Sequence, residues 1–182
     1  QGWPVAADLR LRTLTSLLVT PAAMTMTENI AETAMTEHNA SMVWFRTDLR
    51  IHDNPALFHA CQNRGSVYAI AFITPAQWRQ HGLGERKIRL ITRRMQVLQQ
   101  QLAQLGIPLL LEQADSFDGC IPRLLERLQA LGCQRLFFNN EYEVNERRRD
   151  IRLVQQARAQ GIEVERYHDQ CLLPPGTVQT KG

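Results

Sequence analysis

The chain has 182 residues, of which 44% are hydrophobic and 21% are charged, and its formal net charge is +3. These values are typical of a globular domain with one sizeable core, and they do not by themselves indicate a nucleic-acid partner. Four widely spaced cysteines without a C-x-x-C pair predict reduced, mostly buried thiols in a cytoplasmic protein, with neither disulfides nor zinc. No apolar run approaches the roughly 18 residues that a membrane-spanning helix needs.

Residues 1–40 differ in composition from the rest of the chain, being rich in Thr, Ala and Met. The apolar stretch 9–19 contains Arg10 and Arg12 and so has some character of a targeting presequence. We favour the alternative, a disordered tail or an extension upstream of the true start, because Gln1 cannot be a natural initiator. The folded domain is therefore predicted to begin near Ser41.

The first predicted element is a buried strand at residues 41–45, which are mostly apolar. A helix is predicted to follow at Asn54 and Pro55, because an Asn side chain accepts from first-turn N–H groups and proline needs no donor there. The intervening loop is charged, and we expect its aspartates to pair with its arginines or to cap backbone N–H groups. These loop residues are Arg46, Asp48, Arg50 and Asp53.

The remaining elements alternate regularly. Further apolar, β-favouring segments predict strands at residues 66–73, 107–112, 135–139 and 162–167. Helices are predicted at residues 88–105, 117–131 and 144–160, each followed or ended by a glycine suited to a left-handed cap. The first of these has a continuous apolar stripe ending at Leu105, and the last is predicted to face inward with Ile151, Val154 and Ala157. Residues 76–84, with Trp78 and His81, are predicted to form a loop.

Short crossovers through helices require parallel strands, and right-handed crossovers place helices on both faces of the sheet. The predicted fold is therefore α/β, a Rossmann-like doubly wound parallel five-stranded sheet with strand order 3-2-1-4-5. In this order the topological switch, where such folds usually bind ligands, lies between the first and fourth strands.

The loop after the fourth strand, residues 139–150, is the most polar segment that follows any predicted strand. Within it, Asn145 and Glu146 are adjacent at a helix start, where the helix dipole favours a carboxylate that can also accept from ligand N–H groups. The alternative is an ordinary charged helix N-terminus with ion pairs such as Glu146 with Arg149. Neither a glycine-rich phosphate loop nor a nucleophile–base constellation is evident, so the domain alone does not look like an enzyme.

Residues 44–57, which read WFRxDLRxxDNxAL, closely resemble the N-terminal opening of DNA photolyases and cryptochromes. Three further stretches resemble class I cyclobutane-pyrimidine-dimer photolyases of the bacterial, folate-using type. They are TPAQWRQH at residues 74–81, YEVNER at 142–147 and LLPPG at 172–176. The resemblance extends from Ser41 to the end of the chain.

This resemblance implies that residues 41–171 form the antenna domain of a deoxyribodipyrimidine photo-lyase and that residues 172–182 begin the linker to an FAD-binding domain outside this chain. In the folate-using members of that family the antenna is 5,10-methenyltetrahydrofolate, and the matching positions for its pterin end are Asn145 and Glu146, with His81 close by. FAD and UV-damaged DNA bind the other domain. The chain is thus expected to be a fragment, inactive alone, of a monomeric cytoplasmic protein.

Two other interpretations stay open. A cryptochrome shares the opening motif and signals through partners without repairing DNA, although the YEVNE stretch favours a folate-using photolyase. A nucleotide-binding or electron-transfer flavoprotein module is less favoured, because its phosphate-binding loop is absent. The arginines of residues 147–152 could attract DNA phosphates, but an exposed charged helix is the commoner explanation.

Overall fold

The computed structural model describes residues 40–171, 173 and 175–177. Its strands are β1 (Ala40–Phe45), β2 (Val67–Ile73), β3 (Leu109–Gln113), β4 (Cys133–Asn139) and β5 (Glu163–Tyr167). Its helices are α1 (Pro55–Gln62), α2 (Pro75–Gln80), α3 (Glu85–Gln104), α4 (Cys120–Ala130) and α5 (Val144–Ala159). The strands pair in parallel in the order β3-β2-β1-β4-β5, so the predicted fold class and strand order are confirmed. The predictions for residues 1–39 and 178–182 lie outside the described residues.

The alternation of side chains along β1 divides the core into two layers. Met42 and Trp44 point into one cluster, which buries residues of α4 and α5. Val43 and Phe45 point into the other, which buries residues of α1 and α3. Both sheet faces are therefore covered, which explains why the strands are nearly continuous apolar runs. No helix among the described residues is both long and apolar enough to cross a membrane.

The segment after β2 differs from the prediction, because residues 75–80 form the short helix α2 where a loop was expected. Pro75 occupies the first position of the helix, two residues after the end of β2, so the proline expected to stop the strand also starts the helix. The side chain of Gln77 accepts a hydrogen bond of 2.6 Å from the backbone N–H of Phe117, which attaches α2 to the loop before α4. His81 is the C-cap residue of α2.

The inward face of α5 is rotated relative to the prediction. Its buried residues are Arg149, Asp150, Leu153 and Ala157, so Ala157 faces inward as predicted, whereas Ile151 is 51% exposed. At 100° per residue, Ile151 lies about 200° from Leu153, on the opposite side of the helix. The prediction for Ile151 is wrong because the buried face begins with a charged side chain, which an apolar pattern does not reveal.

Two other residues expected in the core are at the surface. Leu105 is 57% exposed because α3 ends at Gln104 and Leu105 is its C-cap. Cys61 is exposed as well, so only Cys120 and Cys133 are buried thiols as predicted. Burial raises the pKa of both buried thiols to about 12, which keeps them protonated and unreactive at neutral pH.

Candidate functional site

The carboxyl ends of β1 and β4 are joined by a buried cluster of hydrogen-bonded polar side chains, Asp48, Asn54 and Asn139. Asn139, the last residue of β4, donates to Asp48 Oδ2 at 2.6 Å and to Asn54 Oδ1 at 2.9 Å. Its own side-chain oxygen accepts from the backbone N–H of Ala56 at 3.1 Å. The loops after β1 and β4 face each other, as predicted, but they are bonded directly to one another.

The loop after β1 has the architectural role predicted for it. Asn54 caps α1 by accepting from the N–H of Leu57 at 3.1 Å, and Asp48 accepts from the N–H of Arg46 at 2.9 Å. Asp53 differs from expectation, because its carbonyl oxygen, and not its carboxylate, accepts a 2.8 Å hydrogen bond from Arg50. These residues shape the turn and keep its polar atoms paired.

Four charged side chains, Arg46, Glu141, Arg149 and Asp150, form a buried ion network beside this cluster. Arg46 Nη1 donates to both oxygens of Asp150, at 2.7 and 2.9 Å. Arg149 Nη2 donates to Glu141 Oε2 at 2.8 Å and to Asp150 Oδ1 at 2.9 Å. Thr47 Oγ1 completes the network with a 2.8 Å hydrogen bond to Glu141. Each of the four charged side chains is no more than 6% exposed, and the two positive charges balance the two negative ones.

The network lies over aromatic rings. The guanidinium carbon of Arg46 is 4.9 Å from the ring centroid of Trp44 and 4.7 Å from that of Phe138. The guanidinium carbon of Arg149 lies 4.7 Å from the same Trp44 ring. Cation–π attraction is strengthened where water is excluded. In the WFR motif, Trp44 therefore provides the aromatic ring on which the network packs, and Arg46 provides one of its two positive charges.

Electrostatics in the network favour the ionised carboxylate of Glu141. Burial alone would raise its pKa, but the positive charges of Arg46 and Arg149, with hydrogen bonds from Arg149 and Thr47, lower it below the ordinary value of 4.5. The ion pair of Glu146 with Arg149, the alternative considered from the sequence, is not among the ion pairs of the described residues. Arg149 binds Glu141 and Asp150 instead.

Residues 168–170, which we call the exit segment, run from β5 across the loops that follow β4 and β1. The Tyr142 hydroxyl lies 2.7 Å from His168 Nδ1, and the two rings are within 6° of parallel. Asp169 forms an ion pair with Arg50. Gln170 donates to Thr47 Oγ1 at 3.4 Å. The chain itself thus lies across the switch point, an arrangement for which the sequence carries no local signal.

Asn145 and Glu146 occupy the second and third positions of α5, as predicted. Asn145 is exposed and Glu146 is partly buried, and neither side chain hydrogen-bonds to any residue that the structure describes. The N-cap residue, Glu143, does not cap the helix, since its carboxylate accepts from the N–H of Tyr142 at 3.1 Å. Two polar side chains therefore remain available at a helix end with no side-chain cap.

His81 is exposed at the end of α2. α2 follows β2 and α5 follows β4, and only β1 separates these two strands, so the strand ends are about 10 Å apart. His81 and the pair of Asn145 and Glu146 thus follow strands that end at the same edge of the sheet, on two different helices. Within residues 40–171 and the short described stretch beyond, no cluster of His, Cys, Asp and Glu is placed to hold a metal ion.

Comparison with known proteins identifies the family. The family model described as DNA photolyase matches residues 41–182. The deoxyribodipyrimidine photo-lyase of Escherichia coli is 40% identical over 147 residues, which are 80% of this chain and 30% of that protein. Cryptochrome-1 of Sinapis alba is 30% identical over 147 residues, covering 81% of this chain and 28% of that protein. The chain thus spans under a third of the length of these relatives.

A similar solved structure also comes from a photolyase. The crystal structure of a class III photolyase from Agrobacterium tumefaciens matches with a TM-score of 0.59 and 27% identity, over 80% of this chain and 29% of that one. The identity is higher with the Escherichia coli photolyase than with the cryptochrome. The sequence match and the parallel sheet together establish that the chain belongs to the DNA photolyase family and corresponds to its N-terminal domain.

Proposed function

We propose that this chain is the antenna domain of a deoxyribodipyrimidine photo-lyase and that it binds 5,10-methenyltetrahydrofolate at the first turn of α5. The observation that carries the proposal is the position of Asn145 and Glu146. They belong to the YEVNER stretch, lie at the carboxyl edge of the sheet, and have no side-chain hydrogen bonds to the described residues. The neighbouring Glu141 and Arg149, by contrast, are fully engaged with other side chains.

The chemistry of these residues fits a pterin. A pterin ring offers amino and ring N–H donors, and a carboxylate such as that of Glu146 accepts two such bonds side by side. The amide of Asn145 can accept one hydrogen bond and donate another. The imidazole of His81 supplies a flat face that can pack against a planar ring.

When bound, the folate absorbs near-ultraviolet or blue light and supplies excitation energy to FAD, which we place in a domain outside this chain. Residues 41–171 form the antenna domain in this proposal, and residues 172–182 begin the linker. UV-damaged DNA binds the full-length protein, which we propose to be a cytoplasmic monomer. The part played by this chain is to hold and orient the chromophore, and it has no repair activity by itself.

An equilibrium titration of the chain with 5,10-methenyltetrahydrofolate, followed by absorbance and fluorescence anisotropy, tests the proposal. Glu146→Gln and Asn145→Ala are each expected to weaken binding by about tenfold, the effect of losing roughly 1.4 kcal/mol of hydrogen bonding to the ligand. His81→Ala is expected to have a smaller effect. Glu126→Gln, an exposed substitution on α4, is the matched control and should bind like the parent. Unchanged folate affinity in both Glu146→Gln and Asn145→Ala would refute the assignment of the folate site to these two residues.

The second candidate function is that of a cryptochrome domain, which the match to Cryptochrome-1 of Sinapis alba supports. Light-dependent loss of pyrimidine dimers separates the two candidates. A full-length protein that carries this domain should repair dimers if the photolyase proposal is right. Chromophore binding without repair would favour the cryptochrome.

A further inference from the structure

We infer that Arg149 is a positioning residue for the chromophore site: its buried ion pairs hold the first turn of α5, and with it Asn145 and Glu146, in a fixed place. The inference rests on the proposed function, because it concerns the same site. Arg149 itself is buried and is not expected to touch the ligand. Its action is through the backbone of α5.

Among the described residues, no side chain caps the first turn of α5. Glu143 provides no cap, and the first N–H with a helical partner is that of Arg147, at 2.9 Å from the Glu143 carbonyl. A helix end without a cap is prone to fraying, since its leading N–H groups lack partners. Something else must hold the two candidate ligand-binding residues in place.

The ion pair of Arg149 with Glu141 joins the segment that enters α5 to the second turn of the helix. Glu141 precedes the helix by three residues, and Arg149 Nη2 binds its Oε2 at 2.8 Å. The bond therefore spans the first turn, including Asn145 and Glu146. This ion pair holds the first turn in place from its buried side, as a capping side chain would from the end of the helix.

The same guanidinium fixes α5 to the sheet. Arg149 donates to Asp150, which in turn receives two hydrogen bonds from Arg46 at the end of β1. Arg149 also lies on Trp44, the penultimate residue of β1. The first turn of α5 is thus connected to the central strand β1 through the guanidinium groups of Arg46 and Arg149. Because each group is planar and forked, its hydrogen bonds fix the orientation of the helix as well as its distance from the strand.

Arg152 provides a matched control on the same helix. It pairs with Asp118, but both side chains are about half exposed, and such pairs contribute little to stability. A variant at Arg152 therefore removes an arginine and an ion pair from α5 without releasing its first turn.

Two measurements on each variant test the inference. Hydrogen exchange of the ligand-free chain at the N–H groups of Arg147 and Arg148, the first that have helical partners, reports the order of the first turn, and folate titration reports the site. Arg149→Lys and Glu141→Gln, which keep volume and polarity, are expected to speed exchange of the Arg147 and Arg148 N–H groups by about tenfold relative to those of residues 98–102 of α3. Both should also weaken folate binding by about tenfold, as misplaced binding groups do. Arg152→Met should change neither.

The outcomes separate the inference from the proposed function. If the parent chain does not bind folate, the proposed function fails, and the exchange data alone decide whether Arg149 orders the first turn. If Arg149→Lys and Glu141→Gln both keep parental exchange at the N–H groups of Arg147 and Arg148, the inference is overturned. Faster exchange with unchanged folate affinity also overturns it, because the order of this turn would then have no bearing on the site.

Discussion

Arg46→Met is the substitution that most sharply tests whether the buried ion network acts as one unit. Methionine keeps much of the length and apolar volume of arginine but removes the charge. Asp150 would lose hydrogen bonds of 2.7 and 2.9 Å, and the carbonyl of Asn139 would lose its bond from Arg46. The network would be left with one positive and two negative charges in a region almost closed to water.

Breaking a buried ion pair by removing one partner costs about 3–5 kcal/mol. Arg149 continues to donate to Asp150 Oδ1, so we expect the lower end of that range, about 3 kcal/mol of unfolding free energy. The effect should be much smaller when Asp150→Leu is already present, because no unpaired carboxylate remains there. The two single changes should therefore be non-additive by at least about 1 kcal/mol.

Urea unfolding followed by circular dichroism measures these free energies. Arg127→Met is the control, since Arg127 binds Glu112 at 2.7 Å but its side chain is 32% exposed; it should lose less than about 1 kcal/mol. If Arg46→Met lies within about 0.5 kcal/mol of the parent, or if its effect adds fully to that of Asp150→Leu, the buried network is not a coupled unit.

Three further predictions concern pH, thiols and a turn. The lowered pKa of Glu141 means that its ionised form stabilises the fold above pH 4.5 and that this contribution is lost as the pH falls through its folded-state pKa. Urea titrations from neutral to about pH 3 should show the stability gap between parent and Glu141→Gln closing, whereas a constant gap would contradict the assignment. A thiol reagent at pH 8 should label the two exposed cysteines in the folded chain but reach Cys120 and Cys133 only after unfolding; fast labelling of all four would contradict their burial. Gly106 has a φ of +72° with open space around its Cα, so Gly106→Ala should lose only about 1–2 kcal/mol in urea unfolding, from the left-handed conformation alone.

The sheet could be predicted from the sequence because its strands are short apolar runs separated by helices. Burial on both faces makes such runs conspicuous, and the crossover rules then leave few possible topologies. The N-cap at Asn54 was equally predictable, since the Asn-Pro pair has a local physical meaning. What the apolar pattern could not predict is the orientation of α5, whose buried face starts with Arg149 and Asp150.

The ion network escaped prediction for a related reason. Arg46 and Asp150 are 104 residues apart in the chain, and only the completed fold brings them into contact. A charged residue beside other charged residues looks exposed when read locally, as Arg149 did. The contacts of the exit segment are also tertiary, so no local pattern at residues 168–170 indicates them. Asn145 and Glu146, by contrast, were found through a family-like motif, and their binding role remains a prediction.

The most direct test of the antenna assignment is the wavelength dependence of dimer repair by a full-length protein that carries this domain, measured with and without added 5,10-methenyltetrahydrofolate. The proposal predicts that folate raises the repair rate in the near-ultraviolet and blue for the parent. It also predicts that Glu146→Gln, assayed at a folate concentration that saturates only the parent, loses this gain while its folate-free rate is unchanged. An equal gain in the variant, or no gain in a parent that does repair dimers, would contradict the assignment of a folate antenna to Asn145 and Glu146.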